Sequence, residues 1–243
     1  RNLLTDAPRR YRDFIADAHA RGFHVYALLG SAYLDTERYI LPEQRREAVA
    51  MLQRVLDYNA KSAEASRFDG VNLDIEPHLL DQWNDASRED LLRDFLEISA
   101  EWMRMKQASG QRLSVGPAVP FWFDGIDVRW HGATKSASEH LAGLYDYLAL
   151  MDYRDHAEGR DGIVAHAQKE MAYAETIGKK VVIGLELTPN KLEKVTFNHR
   201  SEADLQREMA ATQAAYGQSK AFAGFALHHY RGYREWLDAQ RER

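Results

Sequence analysis

Hydrophobic positions along this chain follow two periods in alternation. Repeats at three and four residues mark helices, and short apolar or alternating runs between them mark strands. Residues 6–21 read as a helix, with Asp6 placed to cap it, Pro8 in its first turn and Gly22 just past its end. Residues 24–30 read as a short apolar strand. Residues 42–61 read as a strong helix with Val49, Leu52, Val55 and Leu56 on one stripe, and residues 68–76 as a strand. A long helix is expected over 87–108, where Ser87 and Asp90 have the spacing of a capping box. A strand over 112–119, a short helix over 136–143, a strand over 145–153 and a helix over 161–177 closed by Gly178 follow. The chain ends with a strand over 180–187, a helix over 201–216, a strand over 222–228 and a helix over 233–241. Strands alternating with helices of this length predict βα units and a parallel sheet. The run Lys180-Val181-Val182-Ile183-Gly184-Leu185 suits a sheet covered on both faces.

Within this pattern, Asp69-Gly70-Val71-Asn72-Leu73-Asp74-Ile75-Glu76 alternates residue by residue. Successive side chains of a strand point to opposite faces, so Val71, Leu73 and Ile75 share an apolar face. Asn72, Asp74 and Glu76 share the other, within about 14 Å at roughly 3.3 Å per residue. Pro77 cannot continue a central strand, which puts the carboxyls near its C-terminal end, where parallel α/β folds build active sites. Two close carboxyls push their pKa values apart, so that one can stay protonated and donate a proton. Acid-assisted cleavage of a glycosidic bond needs such an acid and a second group to steady the cationic transition state.

Composition narrows the field. The chain has 243 residues, 45% hydrophobic and 28% charged, as expected of one globular domain. The net charge of −5 comes with no basic stripe, which argues against a nucleic-acid partner. Cysteine is absent, so there are no disulfides and no thiolate chemistry. No apolar run approaches the roughly 18 residues of a membrane span. Arg1 rather than Met stands first, as in a mature or trimmed product; a removed signal peptide would place the protein outside the cell or in the cell envelope. No glycine-rich phosphate loop of the dinucleotide type is present, which leaves a barrel rather than a Rossmann sheet.

The alternating strand resembles the signature of glycoside hydrolase family 18, the chitinases and related endo-N-acetylglucosaminidases, which reads Asp-x-x-Asp-x-Asp-x-Glu on the fourth strand of a (β/α)8 barrel. Asp69, Asp74 and Glu76 match, and Asn72 replaces the middle Asp. The resemblance implies an α/β fold of the (β/α)8 TIM type. Six strands are legible, and the motif strand is the second of them, so the first one or two strands would be missing from this numbering. It implies that Glu76 is the general acid/base and that Asp74 orients a substrate acetamido group, which attacks the anomeric carbon and forms an oxazolinium. Residues 147–153, ending Met151-Asp152-Tyr153, resemble the sixth strand, whose Met-x-Tyr would bring the Tyr153 hydroxyl to the acetamido oxygen; residues 112–120 resemble the fifth. Family members usually follow that Tyr with Asp or Asn, where this chain has Arg154 and then Asp155. The eighth strand commonly ends in a Trp, where this chain has His228 and His229. No cofactor or metal is expected, and the expected partner is an oligosaccharide or polysaccharide.

Asn72, Asp69, Glu186, His228, Trp122, Asp152 and Arg154 are candidates for contacting the sugar. Glu186 shares parity with Gly184, whose lack of a side chain leaves room for a ligand; the alternative is an ion pair with an arginine such as Arg154. His228 has inward parity and His229 outward, and a metal held by His228, Glu186 and Asp74 is a further alternative. Asp152 and Asp155 flank Tyr153 and could instead pair with Arg154. The aromatics His78, Trp83, Phe121, Trp122, Phe123 and Trp130 follow the fourth and fifth strands and suit a groove for sugar rings, or a loop packed on itself. Two other readings stay open: a non-catalytic carbohydrate-binding barrel, and a glycosidase of another family pairing Glu76 with Glu186.

Overall fold

The structure, a computed structural model, describes Leu4 and residues 7–241. The Asp6 cap expected for the first helix lies outside the described residues. The chain divides into two compact units. One comprises Arg1–Ala118, Asp127–Lys135 and Leu144–Asp146, and the other Val119–Ile126, Ser136–Gly143 and Tyr147–Arg243.

In the first unit, β1 (Tyr26–Leu29), β2 (Gly70–Leu73) and β3 (Ser114–Pro120) pair in parallel in that order. Tyr26 stands opposite Gly70, and Gly70 opposite Ser114. Three helices serve this sheet: α1 (Pro8–Ala20), α2 (Arg45–Ala60) and α3 (Arg88–Ser109). Helix α2 buries Ala48, Met51, Leu52, Val55 and Leu56, the stripe that its three-and-four spacing demands, while Val49 is half-buried beside it. Helix α3 buries Leu92, Phe95, Leu96 and Trp102. The Trp102 indole N–H, fully buried, donates to the Ala48 carbonyl at 2.9 Å and ties α3 to α2. The capping box expected at Ser87 does not form; its hydroxyl donates to the Gln82 carbonyl instead.

The motif strand is shorter as a ladder than its alternation predicts. Pairing with β1 reaches its last bond where the Asp74 N–H meets the Leu29 carbonyl at 2.7 Å. At Gly30, φ +100°, the neighbouring chain turns away, and a Cβ there would run into the Asp74 carbonyl. Residues 74–76 therefore stand beyond the ladder, at the strand's C-terminal end. A hairpin of β4 (Asp127–Trp130) and β5 (Ala133–Ser136) is a feature the periodicity did not predict. Its two-residue turn, His131-Gly132, has positive φ at both positions, the geometry that suits strand twist. On β1, Ala27 is buried while Tyr26 and Leu28 are 45% and 67% exposed.

In the second unit, β6 (Tyr147–Met151), β7 (Lys180–Glu186) and β8 (Phe222–His228) are parallel. Leu150 stands opposite Ile183, and Glu186 opposite His228. Leu150, Val181, Ile183, Leu185, Met171, Phe197 and Trp236 form its buried core. Helix α4 (Ala137–Leu144) precedes β6. The helix expected over 161–177 is two pieces, α5 (Ile163–His166) and α6 (Gln168–Thr176). Helix α7 (Glu202–Tyr216) starts at a reciprocal capping box between Ser201 and Asp204. Helix α8 (Tyr230–Arg241) starts three residues earlier than expected, because His229 Nδ1 accepts from the Gly232 N–H at 3.2 Å and serves its first turn. The His228–His229 peptide is cis.

Asp69 lies at the opposite end of the motif strand from Glu76. It accepts hydrogen bonds from His19 Nε2 at 2.8 Å, the Val25 N–H at 2.6 Å and His24 Nδ1 at 3.2 Å. Burial works against its charge, but these donors hold its carboxyl below the usual range, and Asp69 in turn raises the His19 imidazole. Through these bonds Asp69, expected as a sugar contact, locks α1 to the start of β2. A depressed carboxyl stabilises above its unfolded value of 3.8 and loses that as pH falls through its folded value. A raised imidazole stabilises below its unfolded value of 6.5 and loses that as pH rises through its folded value. The pair is complete between these two values. Replacing His19 by Leu is expected to cost about 1.5 kcal/mol there, and less at pH 8. Urea unfolding at pH 5.5 and pH 8 checks this, and equal losses at both would refute the charged pairing.

Candidate active site

At the end of the motif strand the sequence alternation survives in three dimensions. Val71, Leu73 and Ile75 are buried in the core, while Asn72, Asp74 and Glu76 are half-buried on the other face. The Asn72 amide points at the Gly116 carbonyl, 3.5 Å away on β3 and directly across the ladder. Pro77 opens a single 3-10 turn over Pro77–Leu79 that folds the chain back over Glu76. His78 Nε2 thereby comes within 3.3 Å of Glu76 Oε2, and the imidazole sits edge-on to Trp83. Burial pushes the His78 imidazole down to about 4. It is therefore neutral at ordinary pH and adds no positive charge beside the acid. Sequence reasoning placed His78 among aromatics for stacking on sugars; its contact with Glu76 was missed. The signal was present in Glu76-Pro77-His78, since a turn opened by Pro returns the side chain two residues on.

In the second unit, Tyr153 follows the end of β6. Gly184 on β7 makes room for it: a Cβ added there would lie 3.4 Å from Tyr153 Cε1 and 2.8 Å from the Leu150 carbonyl. The His228 ring lies 5.9 Å from that of Tyr153. Glu186, 7% exposed, holds His228 Nδ1 at 2.7 Å through Oε2. Its other oxygen accepts from the Leu187 and Thr188 N–H groups and the Thr188 hydroxyl, at 2.7–2.8 Å. Burial opposes the charge, but His228 and Thr188 keep the Glu186 carboxyl below its ordinary range. Glu186 thus pairs with a histidine, where an arginine was the expected alternative. Its fixed oxygens do not suit a nucleophile.

Asp152 and Arg154 have partners within the chain. Asp152 is fully buried and accepts from His166 Nδ1 at 3.2 Å; burial raises its carboxyl to about 6. Arg154 donates to Asp161 through Nε at 3.0 Å and Nη2 at 2.9 Å, and to the Tyr153 carbonyl at 2.7 Å, and lies over the Phe121 ring. Asp155 pairs with Arg200 and His156, not with Arg154. Of the three consecutive aromatics, Phe123 is fully buried and Phe121 stacks on His166 at 3.9 Å. Trp122 is the most exposed of the three, at 36%, and lies edge-on to Phe123; Phe121 is half-buried. Trp130 binds Glu97 at 2.7 Å in the first unit. Most of the aromatic run is therefore packing. Among the described residues, no three His, Asp or Glu side chains are grouped to hold a metal, and no helix is long and apolar enough to cross a membrane.

No family model and no curated protein matches the sequence. Solved structures do match. A C-terminal domain from Desulfitobacterium hafniense is 20% identical, with TM-score 0.47, over 73% of this chain and 50% of that one. A chitinase from Chromobacterium violaceum is 17% identical, with TM-score 0.45, over 72% and 53%. This chain thus spans about half the length of both. A GH18 chitinase from Cycas revoluta, solved with (GlcNAc)3, is 14% identical, with TM-score 0.56, over 98% of this chain and 84% of that one. The chain has the fold of a family 18 chitinase. Its class is the (β/α)8 barrel, with two parallel triplets of strands among the described residues in place of eight. Glu76 lies just past the C-terminal end of β2, the end at which barrels of this class carry their chemistry.

Proposed function

We propose that this protein is a retaining glycoside hydrolase acting on a β-linked glycan that contains N-acetylhexosamine. The observation that carries the reading is the presentation of Asn72, Asp74 and Glu76 on one face at a strand end, with a neutral His78 at Glu76. The chitinase-type fold, and the (GlcNAc)3 in the Cycas structure, support the choice of sugar. Glu76, protonated, donates to the leaving oxygen while the substrate's acetamido oxygen attacks C1 and the glycosidic bond breaks. Asp74 orients the acetamido group and balances the charge of the oxazolinium. Glu76, now a carboxylate, takes a proton from water as the water opens the ring with net retention. A positively charged neighbour would favour the ionised acid at the outset, and the buried, neutral His78 avoids this.

Tyr153 enters by its place after Met151 at the end of β6, as the hydroxyl donor to the acetamido oxygen. Tyr153→Phe is expected to lower kcat about a hundredfold with KM little changed, since the donor acts on charge that develops in the transition state. Steady-state kinetics on a chitooligosaccharide decides it; a rise in KM alone would make Tyr153 a binding residue. The reading as a whole is tested by offering β-glycosides with and without the 2-acetamido group. Cleavage confined to acetamido sugars, with a β-anomer as first product, supports it. Cleavage of sugars lacking the group overturns the substrate-assisted route. Binding without cleavage would favour a sugar-binding barrel, the reading that Asn72 in place of a carboxylate supports.

A further inference from the structure

The pair formed by Glu186 and His228 stands outside the chemistry assigned to Glu76 and Asp74. We propose that Glu186 is a positioning residue that fixes the tautomer of His228, and that His228 Nε2 accepts a hydrogen bond from a hydroxyl of the bound saccharide. The recognition half rests on the proposed function; the tautomer half does not.

The argument starts from groups that cannot reverse their roles. The N–H groups of Leu187 and Thr188 can only donate, and both point at Glu186 Oε1, at 2.8 and 2.7 Å. That oxygen is saturated by these two and the Thr188 hydroxyl. The second oxygen, Oε2, is 2.7 Å from His228 Nδ1. A carboxylate only accepts, so Nδ1 must carry the proton, and in the neutral ring Nε2 is the acceptor. Strand pairing holds the two residues face to face, with Glu186 opposite His228 and the Leu187 N–H on the His228 carbonyl at 3.0 Å. Whereas Glu186 is buried, the His228 side chain is 52% exposed at the strand end, with the Tyr153 ring 5.9 Å away. A buried carboxylate thus orients an accessible imidazole beside Tyr153, the residue assigned to the acetamido group. An acceptor there suits a sugar hydroxyl, which a purely apolar platform does not select.

The same geometry makes Glu186→Gln a tautomer switch. The glutamine carbonyl must stay on the two backbone donors, which turns its NH2 toward His228 Nδ1. Nδ1 then becomes the acceptor and the proton moves to Nε2. The experiment is nitrogen-15 NMR of the histidine rings at pH 8.5, in wild type, Glu186→Gln and His228→Asn, the last assigning the resonance. Each protein is then titrated with (GlcNAc)3, and kcat and KM are measured on a longer chitooligosaccharide. The expected results are an Nδ1–H ring in wild type, an Nε2–H ring in Glu186→Gln, and a shift of wild-type His228 Nε2 on adding (GlcNAc)3. KM should rise about three- to tenfold in both variants with kcat within about twofold, the effect of one neutral hydrogen bond. An Nε2–H ring in wild type, or an unchanged ring in Glu186→Gln, overturns the proposal whatever the activity. Bound (GlcNAc)3 that leaves Nε2 unmoved overturns the recognition half. A wild type that neither binds nor cleaves the sugar overturns that half together with the proposed function, and the tautomer result tells this case from the others.

Discussion

Glu76→Gln is expected to lower kcat/KM on an acetamido-bearing β-glycan by about three orders of magnitude while leaving the fold and the affinity for (GlcNAc)3 in place. Glutamine keeps the volume and one acceptor of the carboxyl but cannot give a proton to the leaving oxygen or take one from water. General acid–base transfer contributes about 10²- to 10⁴-fold, and here one residue serves both half-reactions. The structural cost is small because Glu76 stands beyond the last ladder bond of β2 and is half-buried. Far-ultraviolet circular dichroism and calorimetric titration with (GlcNAc)3 separate loss of fold from loss of chemistry. A variant that retains a tenth or more of the wild-type rate would remove Glu76 from the role of acid. In that event Glu186 is a poor substitute, since three donors and His228 already occupy its oxygens.

Glu170→Gln is expected to stabilise the protein at pH 8 and to flatten the dependence of its stability on pH. Glu170 lies in the first turn of α6, 2% exposed, and neither carboxyl oxygen has a hydrogen-bond partner among the described residues. Burial raises it from 4.5 to about 8, with the charges of Asp124 and Asp152 pushing the same way. The folded state therefore keeps a proton that the unfolded chain releases above pH 4.5. Stability falls as pH rises from there toward 8, by about 3–5 kcal/mol in order of magnitude. Glutamine has no proton to lose, so this slope disappears. A smaller one remains from Asp152, which burial raises to about 6. Urea unfolding of both proteins at pH 5 and pH 8 measures the difference. Equal pH slopes in wild type and variant would show that Glu170 is ionised in the fold.

The division between what was legible in the chain and what was not follows the range of the interactions. Alternation is local, so Val71, Leu73 and Ile75 inside and Asn72, Asp74 and Glu76 on the other face could be read from residues 69–76 alone; the six parallel strands, β8 to the residue, were legible too, while the β4–β5 hairpin was not. The shared parity of Gly184 and Glu186 was legible for the same reason, and the ladder sets Glu186 opposite His228. Partners were not, because they are set by residues tens of positions away. Asp69 looked like part of a motif until His19 and Val25, about fifty residues earlier, were seen to hold it. Asp152, beside Tyr153 in sequence, is paired by His166, and Arg154 by Asp161. The run Phe121-Trp122-Phe123 reads as a surface of three aromatics, yet a 3-10 turn buries Phe123 and stacks Phe121 on His166. A strand's period determines which face a side chain takes; which charge meets it there, and so whether it is free for a substrate or committed to the fold, is decided only when distant segments pack.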